Sequence, residues 1–245
     1  MRRRIARVVA VGVITIASGT ASAGRSHFAW LYGTEVMPER GAELQSFVAE
    51  QNGQPGGLQE SDWWLGAVVG ITDQLELAVP IQVQWSVADG ENPHTSFKYF
   101  GGELRYRFVT QDPVDAPAFA PLVRVAVLRD VTTRNDLHVE ADLVASYDTG
   151  GVQLLADAGF GSDVTRDDHH LELRPGAGVS VKAAGDLRVG AEVFSTISLD
   201  DLAGSWAAVG PNVSWTHGRF WLSAAYGIGL YHMRTAPRIT WGIAF

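Results

Sequence analysis

The sequence predicts a transmembrane, antiparallel up-and-down β-barrel of about twelve strands. Three observations predict it. Apolar side chains recur at every second position in segment after segment, the connections between segments alternate in length, and the chain ends on an apolar strand. Side chains on a strand point to opposite faces in turn. In the terminal run Ile239-Thr240-Trp241-Gly242-Ile243-Ala244-Phe245, the four odd positions therefore form an apolar face and the three even ones a small or polar face. Composition alone also permits a soluble β-sandwich. The 27 glycines and a mean hydropathy near zero suit any sheet with one polar and one apolar face. In a membrane barrel the polar face turns inward.

The N-terminus reads as an export signal. Arg2, Arg3, Arg4 and Arg7 precede an apolar run from Val8 to Ala17, and Ala21-Ser22-Ala23 is a small-x-small cleavage site. Residues 1–23 are therefore expected to be a cleaved signal peptide rather than part of the fold. Without those four arginines, 15 basic residues face 27 acidic ones, a net charge near −12. That sign disfavours a nucleic-acid partner. With no cysteine in an exported chain, no disulfide framework is available, and stability has to come from strand pairing and burial.

Reading the alternation along the chain places strands at about 41–50, 57–70, 75–88, 98–109, 119–129, 137–148, 152–161, 170–184, 187–199, 205–216, 219–231 and 237–245. The third is the clearest: every odd position from Leu75 to Trp85 is large and apolar, and no even one is. In the fourth, Leu104, Tyr106 and Phe108 alternate with Glu103, Arg105 and Arg107. In the sixth, Leu137, Val139, Leu143 and Tyr147 alternate with His138, Glu140, Asp142 and Asp148. Leu171, Leu173, Val179 and Val181 carry the eighth, and Phe220, Leu222, Tyr226, Ile228 and Leu230 the eleventh. An even count suits single-chain bacterial barrels, and ~9–11 residues cross the bilayer on a tilt.

Short turns fall at Thr72-Asp73-Gln74, Thr149-Gly150-Gly151, Gly185-Asp186 and His217-Gly218. Longer polar links fall near 51–57, 89–97, 130–136, 162–169 and 200–204. Short turns are periplasmic in such barrels, which puts both chain ends on that side. The segment Gln111 to Pro117 is a longer link on the same side, stiffened by Pro113 and Pro117. Trp63, Trp64, Trp85, Tyr99, Tyr147, Trp206 and Trp215 all lie near strand ends, where aromatic rings favour the headgroup level. Residues 24–40 precede the first strand and are open to three placements: an extra strand, a plug in the lumen, or a periplasmic segment.

The run from Tyr32 to Leu44, with Pro38 and Gly41, and the hairpin Gly70-Ile71-Thr72-Asp73-Gln74-Leu75-Glu76-Leu77 resemble uncharacterised Gram-negative outer-membrane β-barrel families of transporter type. The resemblance covers residues 28–86. Beyond them only the strand pattern and the terminal Phe continue it. It implies an outer-membrane barrel with a passage function and supplies no catalytic residues. Trp241 and Phe245 resemble the terminal tag by which the outer-membrane assembly machinery recognises its clients.

Strand parity turns Glu76, Glu103, Arg105, Arg107, Arg124, Glu140, Asp142, Glu172, Arg174, Arg188 and Glu192 inward, with Asp157 and His138 among them. Charges of both signs away from water have to be matched across neighbouring strands. They form either a closed, salt-bridged core in a structural barrel, or facing rows around a narrow path for small polar solutes. An enzyme is a third class. Asp167-Asp168-His169-His170 supplies a candidate base near an outer loop, as an outer-membrane lipid hydrolase would need, but no nucleophile motif accompanies it. No catalytic, cofactor or metal site is therefore assigned. The expected partners are outer-membrane lipid, lipopolysaccharide and the assembly machinery. The outer acidic residues Asp89, Glu91, Asp130, Asp136, Asp163, Asp200 and Asp201 are expected to be solvated or to bridge to lipopolysaccharide phosphates through divalent cations.

Overall fold

The computed structural model describes residues 26–131, 136–165 and 169–245. The expected signal segment and Asp167 and Asp168 lie outside the described residues. Among the described residues the chain forms twelve strands: β1 (Ala42–Asn52), β2 (Gln59–Thr72), β3 (Leu75–Val87), β4 (His94–Arg107), β5 (Phe119–Asp130), β6 (Leu137–Thr149), β7 (Val152–Val164), β8 (His169–Ala184), β9 (Leu187–Ser198), β10 (Trp206–His217), β11 (Phe220–Tyr231) and β12 (Thr235–Ala244). Each pairs antiparallel with its neighbours in sequence, and β12 returns to β1 to close the barrel.

Closure removes the two open edges that a sheet otherwise exposes. The apolar alternation at the C-terminus makes the seam. Leu44 lies opposite Ile243 and Ser46 opposite Trp241, and the Phe245 main-chain N–H donates to the Ala42 carbonyl at 2.8 Å. The turn between β6 and β7 uses Gly150 and Gly151 at φ of 56° and 88°. Two successive positive φ values suit a two-residue hairpin turn whose twist matches the strands. β4 starts four residues before the expected position 98, because Thr95, Ser96 and Phe97 pair with Trp85, Gln84 and Val83. Locally, Asn92-Pro93-His94 reads as loop, and pairing across the hairpin extends the strand beyond it.

The barrel is apolar outside and polar inside, the reverse of a soluble fold. Val125 is 42% exposed while the adjacent Arg124 is 2% exposed. Val79, Leu104, Leu143, Val193 and Ile239 share the outer face with Val125. Trp63, Trp85, Tyr147 and Trp215 also lie there. Trp64, Tyr99 and Trp206 depart from the expected aromatic girdles. Trp64 is buried and stacks on Phe47, Tyr99 stacks on His138, and Trp206 meets Trp30 and Phe194 edge-on inside the barrel. Parity decides this, since adjacent residues such as Trp63 and Trp64 cannot share a face.

Residues 26–40 run through the interior. Phe28, Ala29, Leu31, Thr34, Val36 and Met37 are all buried. The segment enters beside Ser223 near the turn between β10 and β11, where the Ser223 hydroxyl donates to the Ser26 carbonyl. It rises to Trp30 and Tyr32. It then descends to the rim, where the Arg40 N–H donates to the Gly70 carbonyl and the Glu39 N–H to Asp73. Gly176 and Gly178 of β8 make room for it. A Cβ on the first would strike Leu31 and on the second Phe28.

Candidate functional site: the plugged interior

A buried segment without strand partners leaves main-chain groups that something else must satisfy. Inward polar side chains do this. Glu192 of β9 accepts the main-chain N–H groups of Ala29, Trp30 and Leu31 at 3.1, 3.0 and 3.2 Å. Glu76 of β3 accepts the Met37 N–H at 2.6 Å, and Arg107 of β4 donates to the Thr34 carbonyl at 2.8 Å. Gln111, in the long link between β4 and β5, donates to the Val36 carbonyl and accepts its N–H. The Trp30 indole donates to the Ala236 carbonyl, and its ring stacks on Phe194 with centroids 4.3 Å apart.

A continuous ion network lines one half of the wall, on β3 to β8. Arg124 is its centre, reaching Glu103 at 2.7 Å and both Glu140 and Asp142 at 2.6 Å. Arg105 joins Glu76 at 3.2 Å to Glu103 at 2.9 Å, while Arg174 reaches Glu140, Asp142 and Glu172. His138 lies between Glu140 at 3.0 Å and Asp163 at 2.6 Å. The Tyr32 ring caps the network, with the Arg124 guanidinium 4.0 Å and the Arg105 guanidinium 5.1 Å from its centre. Burial pushes the Tyr32 phenol above its ordinary range, so the ring remains neutral under the two cations.

Eight of the expected inward charges thus meet in one network: Glu76, Glu103, Arg105, Arg124, Glu140, Asp142, Glu172 and Arg174. Arg107 and Glu192 instead hold the plug. Arg188 bonds the Ser180 hydroxyl and the Ser180 and Gly151 carbonyls near the short turns. Acidic and basic rows facing each other across a path are not what these residues form. The signs interleave on neighbouring strands, because adjacent side chains are close enough to pair and opposite walls are not. Asp163 and Asp200 are engaged rather than simply solvated. Asp163 bonds His138, and Asp200 accepts the Leu171 N–H at 2.6 Å and lies 3.2 Å from His170.

Among the described residues the plug borders a larger and a smaller cavity. The larger, about 390 Å³, lies toward the long loops and is bordered by Trp30, Tyr99, Asp157, His170, Trp206 and Arg238 among others. The smaller, about 40 Å³, lies among Phe28, Glu43, Phe47, Glu76 and Thr240. That is room for a few waters at most. Leu31, Tyr32 and Arg238 line both cavities and form the partition. Trp30, Tyr32, Asp62 and Arg238 are inward residues that the sequence reading did not single out. The parity that turns Ile239 outward was signal enough for Arg238.

No protein-family model and no curated protein matches the chain. Among solved structures, an outer membrane channel from Pseudomonas putida F1 superposes with a TM-score of 0.61 at 11% identity, over 88% of this chain and 99% of that one. The β domain of the Bordetella autotransporter BrkA gives 0.56 at 10% identity, over 84% and 99%. The KdgM porin in complex with disordered oligogalacturonate gives 0.51 at 8%, over 83% and 99%. At such identities the likeness is one of architecture: the chain has the closed-barrel fold of outer-membrane channels.

Proposed function

We propose that the protein is an outer-membrane channel for small polar solutes whose passage is controlled by the inward-folded N-terminal segment. The observation that carries this reading is the polar chamber of about 390 Å³, separated from the other end of the barrel by Leu31 and Tyr32 of the inward-folded segment together with Arg238 of the wall. The outer face supports the location, since a continuous apolar surface of this extent needs acyl chains to cover it. Trp241 and Phe245 lie on that face at the seam, where the assembly machinery would read them, and lipid and lipopolysaccharide would surround the wall. Planar-bilayer recording tests passage. The full-length protein is expected to give small, flickering currents, and a folded barrel that stays silent under all voltages would remove the channel reading.

A second reading has its own support. The ion network joins six adjacent strands, which suits a structural barrel with a closed lumen. A lipid hydrolase has less support, since His170 is paired with Asp200.

The membrane location makes a separate prediction. Val125→Arg places a cation at mid-height on the outer face, and is expected to lower folding stability in lipid by ~2–4 kcal/mol. Urea titration in phospholipid vesicles checks it, with Val125→Ala as the comparison. Equal midpoints for the two variants would mean that this face does not meet acyl chains.

A further inference from the structure

The larger chamber is bordered by a half-buried arginine and a buried aspartate, each with one buried polar atom that the fold leaves without a hydrogen bond. On β12, the Arg238 guanidinium lies 3.8 Å from the centre of the Phe47 ring and 5.1 Å from that of Trp30. Its Nε is buried without a partner, and among the described residues it makes neither a hydrogen bond nor an ion pair. Asp62 and Glu192 attract it only from a longer range. On β7, Asp157 is 8% exposed, and its Oδ1 is buried without a partner. Both residues border the chamber. Five steps around the ring of twelve strands separate them, which sets them on nearly opposite walls.

Arg174 also leaves its Nε without a hydrogen bond, but its other two guanidinium nitrogens reach Glu140 and Asp142, and the remaining charges bordering the chamber are used. Asp142 and Glu172 belong to the ion network and Asp163 to His138. Asp62 and Glu60 accept side-chain amides of Gln82, Gln54 and Gln84. Lys98 lies over the Tyr99 ring near the loop end. Buried polar groups are nearly always partnered, and an exception needs a cause. Two exceptions of opposite sign across one cavity have a common cause if the partner is a solute that carries both charges.

We propose that the chamber is a binding site for small zwitterions, with the solute carboxylate at Arg238 and its ammonium group at Asp157. The chamber holds about a dozen water volumes at ~30 Å³ each, which is room for an amino acid or a slightly longer ω-amino acid. Neither charge alone is selective. A simple carboxylate leaves Asp157 Oδ1 unpaired and a simple amine leaves Arg238 unpaired, so each single-charge solute forfeits half of the recognition. The Trp30 and Phe47 rings beside Arg238 keep the guanidinium in place without competing for its donors. The site does not depend on passage through the barrel.

Calorimetry on the full-length protein in detergent tests this, with glycine and 4-aminobutyrate as probes and butyrate and butylamine as single-charge controls. At least one zwitterion is expected to bind ten-fold or more tightly than both controls. Arg238→Gln and Asp157→Asn are each expected to reduce that zwitterion to the level of the controls, with gel mobility of unheated samples reporting that the barrel is folded. The comparison among solutes in the unaltered protein needs no variant, so it stands even where a variant misfolds. Zwitterions that bind no better than butyrate and butylamine would overturn the proposal. So would folded variants that keep the preference. A protein that binds zwitterions yet passes no current would sink the channel reading and leave this one intact.

Discussion

Glu192→Ala is expected to convert brief, rare openings into long-lived ones, raising the time-averaged current through the barrel by about two orders of magnitude. The reasoning starts from three main-chain N–H groups at the tip of the plug, all received by one carboxylate. Hydrogen bonds to a charged acceptor contribute ~1.5–3 kcal/mol each, though three on one group do not add fully. A loss of about 3 kcal/mol is a conservative sum, and each ~1.4 kcal/mol shifts a two-state ratio ten-fold. The remainder of the segment should stay seated. Phe28, Val36 and Met37 are buried lower in the barrel, and each such side chain retains ~1.5–3 kcal/mol of apolar burial. The expectation is therefore a loosened tip around Trp30 to Tyr32 rather than an expelled segment. Glu192→Gln keeps one acceptor oxygen and the side-chain volume, and should fall between the two. Single-channel recording gives open times directly. Currents unchanged in Glu192→Ala would show that the tip does not limit passage.

Much of this arrangement could be read before any coordinates, because a barrel wall obeys one simple rule. Parity along β3, β4 and β6 placed Glu76, Arg105 and Glu140 inside without knowledge of their partners, and a closed ring left no strand ambiguous for long. What parity cannot give is the content of the lumen. Residues 26–40 place Phe28, Trp30 and Tyr32 at alternate positions, a pattern that suits a strand as well as a plug, so the sequence left strand, plug and periplasmic segment equally open. Their position is set by tertiary contacts, above all the three bonds to Glu192 and the space left by Gly176 and Gly178. The same blindness explains Glu192 and Arg107. Both read as lumen charges awaiting an opposite charge, whereas each found main-chain groups instead. Trp64 and Trp206 leave the girdle for a related reason, since parity turns both side chains inward although they lie near strand ends.

Arg124→Met is expected to be the most destabilising substitution in the wall, costing about 3–5 kcal/mol, because it removes the one buried guanidinium that three carboxylates share and leaves a surplus of buried negative charge. The side chain is 2% exposed, so water does not rescue Glu103 or Asp142 once the cation is gone. Arg105 still holds Glu103 and Arg174 still reaches Glu140 and Asp142, but each also serves a further carboxylate, Glu76 or Glu172, so two guanidinium groups are left for five carboxylates. The loss should therefore appear as a lower urea midpoint in vesicles and as partial loss of folded mobility on unheated gels. Arg124→Lys separates charge from geometry. It restores one positive charge but cannot reach two strands with a planar fork, so it should recover only part of the deficit. Removing the partners together makes the sharper test. In the combination Arg124→Met with Glu103→Gln and Asp142→Asn, fewer uncompensated charges remain buried. It should be more stable than Arg124→Met alone, even though it has lost more bonds. If the multiple variant is instead the weaker one, then the network holds the barrel by attraction and hydrogen bonding. The wall would then tighten around Tyr32 for reasons other than the avoidance of stranded charge.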